Sequence, residues 1–535
     1  MNRAAPRLLV TLVVAYAASW LAYAGLRVDD WPVGSAELAS ILGAIGVFLV
    51  LRIALRDAPL RLRRANHAAP FGSARWMDRK AVRRMTAGAG LVVGREDRPG
   101  GQLLRYDGPA HLITIAPTRS GKGVGAIIPN LLTADRSVLV IDPKGENAAV
   151  TWHARSRFGP VHVLDPFAIT GLPAAAFNPL DRIDPSGIDA AEDAALLAEA
   201  LVTDPPHQVA DAHWNEEAKA LLTGLILFAA AAEDPARRSL TTVRELLTLP
   251  VDRFDQLLAA MQDSRAAGGL VARAANRHLT KSDREASGVL SSAQRHTHFL
   301  DSPRMAAVMG RCDFAFADLK ARTETVFLVL PPDRLGTYSR WLRLMVAQAM
   351  TDLARTAGQP PAPVLFLLDE FAALGRLEPV ERAMGLMAGY GVQLWPILQD
   401  LHQLRATYGP HAGTFLSNAG LVQVFNVNDS ETADWVSRGL GEATEAYETG
   451  SRGRTRQWRH LAAGSSNTGT AGHLVRRALL TPDEVRRLPS DQEILFQAGA
   501  PPVRARKLRY FADSEFRGLF DANASSVRGG SGGLR

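Results

Sequence analysis

Cysteine is almost missing from this sequence, with Cys312 the single example among 535 residues. One thiol excludes an intrachain disulfide and any metal site built from a cluster of cysteines. No internal repeat is visible either. The composition is otherwise ordinary, 47% apolar and 21% charged, which excludes a largely disordered chain, and the length allows two or three domains. A formal net charge of +7 permits contact with nucleic acid or anionic lipid without requiring it.

Two long apolar runs stand near the N-terminus, at residues 8–26 and 38–55, the second interrupted by Arg52. A 19-residue helix spans about 28 Å, close to the ~30 Å hydrocarbon core of a bilayer. Arginines lie outside the pair on both sides, whereas the connecting residues 27–37 carry one arginine and three acids. The positive-inside rule therefore predicts a membrane hairpin with both ends in the cytoplasm. A cleaved signal peptide is the alternative for the first run, and the lack of a clean cleavage site disfavours it.

The segment ITIAPTRSGKGVGAIIPN, residues 113–130, carries the strongest chemical signal. An apolar strand over residues 112–115 leads into a loop of small residues, and a helix is predicted to start near Lys122. This is the setting of a phosphate-binding P-loop, in which successive backbone N–H groups form a cradle for a polyphosphate. Lys122 supplies the positive charge, and the cradle comprises Thr118, Arg119, Ser120, Gly121, Lys122, Gly123 and Val124.

Two positions depart from the strict pattern G-x-x-x-x-G-K-[ST]. Ala116 stands where the first glycine belongs, and Gly123 stands where the hydroxyl ligand of Mg²⁺ belongs. The hydroxyl of Thr118, the hydroxyl of Ser120 or a water molecule could take that place, and the sequence leaves the choice open.

Short, mostly apolar segments after the P-loop predict buried strands at residues 138–141, 161–164, 325–330, 364–368, 392–398 and 421–425. They alternate with helical patterns, which predicts an α/β fold with a parallel sheet covered on both faces. Between residues 188 and 308 nearly every segment has a helical pattern, so this part is interpreted as an all-helical insertion.

Polar side chains follow two of the predicted strands directly. Asp369 and Glu370 follow residues 364–368, and Gln399 follows residues 392–398. Opposite a P-loop, Asp369 is predicted to hold Mg²⁺ through water and Glu370 to orient or deprotonate the attacking water. Gln399 is a candidate sensor of the γ-phosphate, with helix capping as its alternative role.

Two basic segments are weaker candidates for nucleic-acid contact. Residues 273–298 carry several Arg, Lys and His residues on predicted helices, for which a solvated helix face is the simpler interpretation. Residues 442–472 are rich in Gly, Ser, Thr and Arg and are predicted to form a mobile loop. There Trp458 and four arginines could track a single strand by charge and stacking, namely Arg452, Arg454, Arg456 and Arg459.

Nine features in order resemble one family, the type IV secretion system coupling proteins, TraG-like conjugative DNA-transfer ATPases. They run from the two membrane segments to about Phe511 and include PTRSGKGVG with IIPNLL, VLVIDPKGEN, HVLDPF with FNPL, HWNEEAKALLTGLILF, LLDEFAALG, AGYGVQLWPILQDLHQL, NDSETADWVSRGLG and LLTPDEVRRLPSDQEILF. In this family the P-loop lysine is usually followed by Gly or Ser, which accommodates Gly123. The loop between the membrane segments is shorter than is usual.

The resemblance implies a RecA-like P-loop NTPase domain with an all-helical insertion, using ATP and Mg²⁺, anchored in the bacterial inner membrane and assembled as a hexamer. Its implied partners are a secretion channel and a relaxase with single-stranded DNA, or effector proteins. The corresponding domains are a membrane hairpin at 1–64, an ATPase domain in two parts at 65–187 and 309–514, the insertion at 188–308, and a tail at 515–535.

Two rival functions stay open: a septal-type DNA translocase, and a nucleotide-binding adaptor that does not turn over ATP. In a ring, an arginine from the neighbouring subunit would complete each site. The candidates are Arg376, Arg382 and Arg405, which lie near the Asp369-Glu370 and Gln399 strands.

Overall fold

Wholly buried strands form the centre of the molecule, as their mostly apolar sequences predict. The computed structural model describes residues 71–202, 212–232, 234–454 and 466–522, with only the backbone described over residues 446–454 and 466–472. The predicted membrane segments and the end of the tail lie outside these ranges. No helix within the described ranges is both long and apolar enough to cross a membrane.

The described strands in chain order are β1 Leu91–Glu96, β2 Leu103–Tyr106, β3 His111–Ile115, β4 Val138–Asp142, β5 Val161–Leu164, β6 Thr325–Val329, β7 Val364–Leu368, β8 Val392–Leu398, β9 Ala419–Phe425, β10 Glu442–Arg454, β11 Ser466–Ala478, β12 Gln492–Gln497 and β13 Val503–Arg506. Among the described residues, eleven of these strands form one sheet in the order β2-β1-β13-β12-β9-β3-β8-β7-β4-β6-β5.

The sheet is mixed. The seven strands from β9 to β5 are parallel, which confirms the predicted α/β sheet for the part that follows the P-loop. Strands β12, β13, β1 and β2 add an antiparallel edge beside β9. The sequence did not predict this edge, because its strands come from both ends of the domain and meet only through long-range pairing. Strand β1 lies within residues 65–187, the first part of the predicted ATPase domain, and belongs to this edge.

The expectation of a mobile loop over residues 442–472 is wrong where the chain is described. Strands β10 and β11 pair as an antiparallel hairpin from Glu442 with Ala478 to Arg454 with Ser466. Thr444 and Tyr447 of β10 and Val475 of β11 favour strand formation, a signal that the Gly- and Ser-rich composition obscured. Arg452 and Arg454 lie on β10, while the other predicted DNA-contacting residues of this segment fall outside the described residues.

The α-helices in chain order are α1 Arg79–Thr86, α2 Ile128–Thr133, α3 Glu146–Ser156, α4 Ala190–Leu201, α5 Ala212–Ala230, α6 Leu240–Leu247, α7 Val251–Asp263, α8 Ala266–Leu279, α9 Asp283–Thr297, α10 Pro303–Met309, α11 Asp318–Ala321, α12 Leu335–Arg355, α13 Glu378–Leu386, α14 Leu401–Tyr408, α15 Ala412–Asn418, α16 Ser430–Leu440 and α17 Pro482–Arg486. Helices α4 to α11 lie between β5 and β6, and the described residues between those two strands contain no strand.

Alternation along each strand places side chains in two cores, one on each face of the sheet. Ile113 and Ile115 of β3 face the larger core, which also contains α12 to α16 and the helices between β5 and β6. Leu112 of β3 faces the other core, together with residues of α1, α2 and α3. Both faces are therefore covered, and the polar ends of the strands are left as the place where side chains can meet a ligand.

Candidate nucleotide-binding site

Three neighbouring strands bring the predicted site residues together. Strand β8 lies between β3 and β7, and all three are parallel. Their carboxyl ends therefore reach the same edge of the sheet, where the loop after β3 holds Lys122, the loop after β7 holds Asp369 and Glu370, and the loop after β8 holds Gln399. Four residues predicted from separate motifs thus meet at one place.

The loop after β3 has the conformation of a cradle. Arg119 has a φ of 64° and Gly121 a φ of 94°, so the chain bends twice through left-handed backbone geometry. A Cβ added at Gly121 or Gly123 would meet no atom within 4 Å, so both positions open onto space available to a ligand. Ala116 is compatible with the loop because it continues β3, with its N–H donating to the Leu398 carbonyl at 2.7 Å.

A π-helical turn, Gly123–Ile127, follows Lys122 in place of the regular helix that the sequence predicts. The N–H of Ile128 donates to the carbonyl of Gly123, five residues earlier. Pro129, in the first turn of α2, has no N–H for the Gly125 carbonyl, and its ring would crowd that carbonyl in an α-helix. The wider turn avoids this clash and carries the P-loop into α2.

Lys122 contacts both acids of the Asp369-Glu370 pair. Its Nζ lies 2.9 Å from Asp369 Oδ1 and 2.5 Å from Glu370 Oε1. The lysine and Asp369 side chains are 15% and 13% exposed, and that of Glu370 is 31% exposed. A cation shielded from water between two carboxylates is held more strongly than a surface ion pair. The cluster therefore fixes the lysine at the mouth of the cradle.

The three groups shift each other's pKa. Burial opposes the charge of Lys122, but the charge of Asp369 and the hydrogen bond to Glu370 outweigh it and raise the lysine pKa. Burial raises the pKa of Asp369, although Lys122 works against the shift. Burial alone would also raise the pKa of Glu370. The hydrogen bond and positive charge of Lys122, together with the hydrogen bond from Gln399, outweigh burial and lower the Glu370 pKa. At neutral pH Glu370 is thus a carboxylate able to accept a proton.

Glu370 also has an unusual backbone. Its φ of 52° lies in the left-handed region, which costs a residue with a side chain roughly 1–3 kcal/mol. Its N–H donates to the carboxylate of Asp369 at 2.9 Å. Strain of this kind persists where the surrounding structure fixes it and is concentrated at functional sites.

Gln399 connects the P-loop with Glu370. Its Nε2 donates to Glu370 Oε2 at 3.1 Å, and its Oε1 accepts from the Thr118 hydroxyl at 3.2 Å. The alternative capping role belongs to its neighbour, because Asp400 accepts from the N–H of Gln403 at 2.8 Å at the start of α14. The Gln399 side chain is therefore hydrogen-bonded both to the P-loop and to Glu370.

The oxygen ligands present suit Mg²⁺, which prefers carboxylate, hydroxyl and water oxygens. Asp369 provides a carboxylate at the cradle, and the Ser120 hydroxyl is buried without a hydrogen-bond partner among the described residues. The Thr118 hydroxyl already donates to Gln399. The hydroxyl groups of Thr118 and Ser120 both remain candidates for the ligand that Gly123 cannot supply.

Sequence reasoning missed three residues near this cluster. Asp142, at the end of β4, is 1% exposed, and burial raises its pKa to about 7, with the Asp369 charge adding to the effect. The charge of Lys144 contributes to the lowered pKa of Glu370. Lys507 donates to the Ser120 carbonyl at 2.8 Å. The signal for Asp142 and Lys144 was present in DPKGE after an apolar strand, whereas nothing local to Lys507 indicates its position.

The three candidate arginines point to other partners within this chain. Arg376 lies 3.3 Å from Glu381, Arg382 lies 4.0 Å from Glu199, and Arg405 pairs with Glu431. Within the part of the chain that the structure describes, none of the three is hydrogen-bonded or ion-paired to Lys122, Asp369 or Glu370. All three are at least one-third exposed, so each can reach a neighbouring molecule.

The basic segment at residues 273–298 forms α8 and α9, and acids compensate part of its charge. Glu217 of α5 contacts Arg277 at 2.6 Å and Lys281 at 2.8 Å. The hydrogen bond from Arg277 is the largest of the effects that lower the Glu217 pKa, to about 2. Lys281 also contacts Glu285 at 3.0 Å. These pairs leave less positive charge for DNA phosphates than the sequence suggests.

At one edge of the parallel sheet, the lysine of a Gly-rich loop contacts an Asp-Glu pair. This arrangement defines a P-loop protein of the RecA-like α/β class. Solved structures share this fold. The plasmid coupling protein TrwB in complex with the ATP analogue ADPNP aligns with a TM-score of 0.60 at 19% identity, covering 82% of this chain and 95% of that chain. TrwB in complex with ADP and Mg²⁺ aligns equally well, at 18% identity over 82% and 96%.

Sequence comparison gives the family. Residues 75–527 match the family described as Type IV secretory system Conjugative DNA transfer. The chain is 30% identical to the conjugal transfer protein TraG of Escherichia coli, over 83% of this chain and 77% of that protein. It is also 30% identical to protein VirD4 of Rhizobium rhizogenes, over 89% and 70%. The chain therefore belongs to the type IV secretion coupling proteins of conjugative DNA transfer, and the predicted family is confirmed.

Replacing Gln399 with alanine should move the acidic limb of the pH–rate profile for ATP hydrolysis to higher pH. Glu370 must be ionised to accept a proton, and loss of the Gln399 hydrogen bond removes one of the effects that lower its pKa. Initial rates between pH 4 and 9 measure the shift. Thr118→Val is the matched control, because it removes the other partner of Gln399 without touching Glu370. An unchanged acidic limb in Gln399→Ala would contradict the assigned contact.

Proposed function

We propose that this protein is an inner-membrane ATPase that couples ATP hydrolysis to the delivery of conjugative substrate into a type IV secretion channel. The observation that carries the proposal is the contact of Lys122 with Asp369 and Glu370 at the mouth of the P-loop. TraG and VirD4 relatives, and TrwB structures named for their complexes with ADPNP and with ADP and Mg²⁺, support it.

Each group has a role that follows from its position. The N–H groups of the loop and the Lys122 ammonium bind phosphate oxygens, since oriented donors in a partly buried site stabilise negative charge. Asp369 would hold Mg²⁺, which when bound offsets phosphate charge. Glu370 orients the attacking water and accepts its proton. Gln399 keeps the Glu370 carboxylate and the P-loop in register through its two hydrogen bonds.

Membrane anchoring and substrate recruitment complete the proposal. The apolar runs at residues 8–26 and 38–55 would anchor the chain, with the P-loop domain on the cytoplasmic side. We expect single-stranded DNA with a relaxase as the substrate and channel components as partners, in line with a family described as conjugative DNA transfer and with conjugal transfer relatives. Effector proteins are the alternative substrate. Because acidic residues pair with part of the positive charge on α8 and α9, these helices are a weaker candidate for the DNA-binding surface than their sequence alone suggests.

Lys122→Ala and Glu370→Gln should fail in different ways. Lys122→Ala loses a charge-assisted hydrogen bond to phosphate, so ATP should bind roughly 10- to 100-fold more weakly. Glu370→Gln keeps the cradle but cannot accept a proton, so it should bind ATP and hydrolyse it at least about 100-fold more slowly. Equilibrium binding and steady-state hydrolysis by the purified full-length protein separate the two effects.

The matched control is Glu378→Gln, which removes an exposed carboxylate eight residues further along the chain and should leave turnover unchanged. Near-normal hydrolysis by Glu370→Gln would remove this residue from its role. ATP binding without hydrolysis by the wild-type protein would instead favour the rival function, an adaptor that does not turn over ATP.

We further propose that the working form is a hexameric ring in which a neighbour's arginine completes each site. One lysine compensates only part of the charge that develops on the γ-phosphate, and an arginine supplied in trans can stabilise the rest. Arg376, Arg382 and Arg405 are the candidates, since the side chain of each is at least one-third exposed and each follows β7 or β8 in the chain.

Mixing inactive subunits tests this arrangement. Lys122→Ala subunits mixed with subunits that carry an inactivating Arg→Ala substitution should regain part of the ATPase activity, because some interfaces pair an intact P-loop with an intact arginine. Arg157→Ala, at an exposed arginine that follows α3, should be active alone. No recovery for any of the three arginines, in mixtures shown to assemble together, would contradict the assignments.

A further inference from the structure

Lys507 contacts the back of the P-loop from the far end of the chain. It directly follows β13, and its Nζ donates to the Ser120 carbonyl at 2.8 Å and to the Asn426 side-chain oxygen. The ammonium also lies 4.6 Å from the centre of the Phe425 ring, at the end of β9. One cation therefore joins the loop after β3 to the end of the neighbouring strand.

The backbone beside Lys507 fixes this contact. A Cβ added at Gly125 would lie 3.0 Å from the Leu508 carbonyl oxygen and 3.6 Å from the Phe425 ring. The N–H of Lys507 donates to the Asp491 carbonyl at 2.8 Å. The segment that carries the lysine is thus packed directly against the turn that follows the P-loop.

The surroundings of Lys507 are partly buried and mixed in charge. Buried Glu493 of β12, Asp491 and Arg509 are the charged groups that face it, and burial is the main reason that its pKa is lowered, to about 8. At neutral pH the side chain is still mostly protonated. Burial removes part of the water around the ammonium group. Its hydrogen bonds to the protein replace the hydrogen bonds lost to that water.

We propose that Lys507 is a positioning residue for nucleotide binding, acting through the Ser120–Gly121 peptide. The Ser120 carbonyl that accepts from Lys507 and the Gly121 N–H belong to this one peptide group. The peptide is trans, so the N–H points opposite to the carbonyl and away from Lys507. A cation on the carbonyl fixes the plane of the peptide and polarises it, which strengthens the N–H as a donor. The inference rests on the proposed function, namely that the P-loop binds a nucleoside polyphosphate.

The need for an external anchor follows from the loop itself. Gly121 has a φ of 94° and no neighbour within 4 Å of an added Cβ, so its own side of the loop provides little restraint. The contact to Lys507 provides that restraint from behind and leaves the phosphate side open. Removing it should weaken binding of the ground state and of the transition state alike, which raises KM with little change in kcat.

The test measures ADPNP binding in the presence of Mg²⁺, and ATP turnover, for the full-length protein and Lys507→Met. The substitution should weaken ADPNP binding about tenfold, as expected for a lost contact to a charged group, with kcat within about twofold of the wild type. Lys320→Met is the matched control, because Lys320 is a lysine shielded from solvent that also donates to a backbone carbonyl, that of Thr356, at 2.8 Å. It should bind ADPNP as the wild type does.

The measured affinities either support or overturn the assigned role of Lys507. ADPNP affinity unchanged in Lys507→Met, or reduced equally in Lys320→Met, overturns the inference while the proposed function stands. A wild-type protein that fails to bind ADPNP overturns both. If Lys507→Met melts well below the wild type, Lys507→Gln is measured instead, since it keeps an N–H donor without the charge. Weakening of about threefold in that variant supports the inference, and wild-type affinity overturns it.

Discussion

The position of a single ammonium group between two carboxylates is the constraint on which the site depends. Asp369 and Glu370 are adjacent in sequence and partly buried, so their charges repel each other unless a cation lies close. Lys122 provides that cation at 2.9 Å and 2.5 Å. Because the lysine follows β3 and the acids follow β7, the contact requires the sheet order in which β8 alone separates those two strands. The order of the strands therefore determines that the lysine can reach the two acids.

The site was predictable because its residues directly follow apolar strands. A run such as residues 364–368 predicts a buried strand, and parallel strands bring their carboxyl ends to one edge of the sheet. Local patterns alone therefore indicate that Lys122, Asp369, Glu370 and Gln399 lie together. The antiparallel edge could not be placed in this way. Strand β1 pairs with β13, more than 400 residues later, and no local pattern specifies such a partner.

Lys507 shows the same limit at the level of one side chain. It stands in a basic segment, RARKLRY, which by itself indicates a solvated surface. Only the pairing of β12 and β13 with the rest of the sheet brings it behind the P-loop. The hairpin of β10 and β11 was missed for a different reason, since Gly- and Ser-rich composition outweighed its few residues of high strand propensity, such as Thr444, Tyr447 and Val475. Composition is a weaker guide than pairing wherever two long strands stabilise each other.

The central claim is that Lys122, Asp369 and Glu370 form a nucleotide site. A structure of the full-length protein with ADPNP and Mg²⁺ tests it most directly, through the distance from Lys122 Nζ to the phosphate oxygens. The account predicts phosphate oxygens within hydrogen-bond distance of that atom, about 3 Å, with the metal on the side of Asp369. ADPNP bound elsewhere, or an ammonium group more than about 4 Å from every phosphate oxygen, would contradict it.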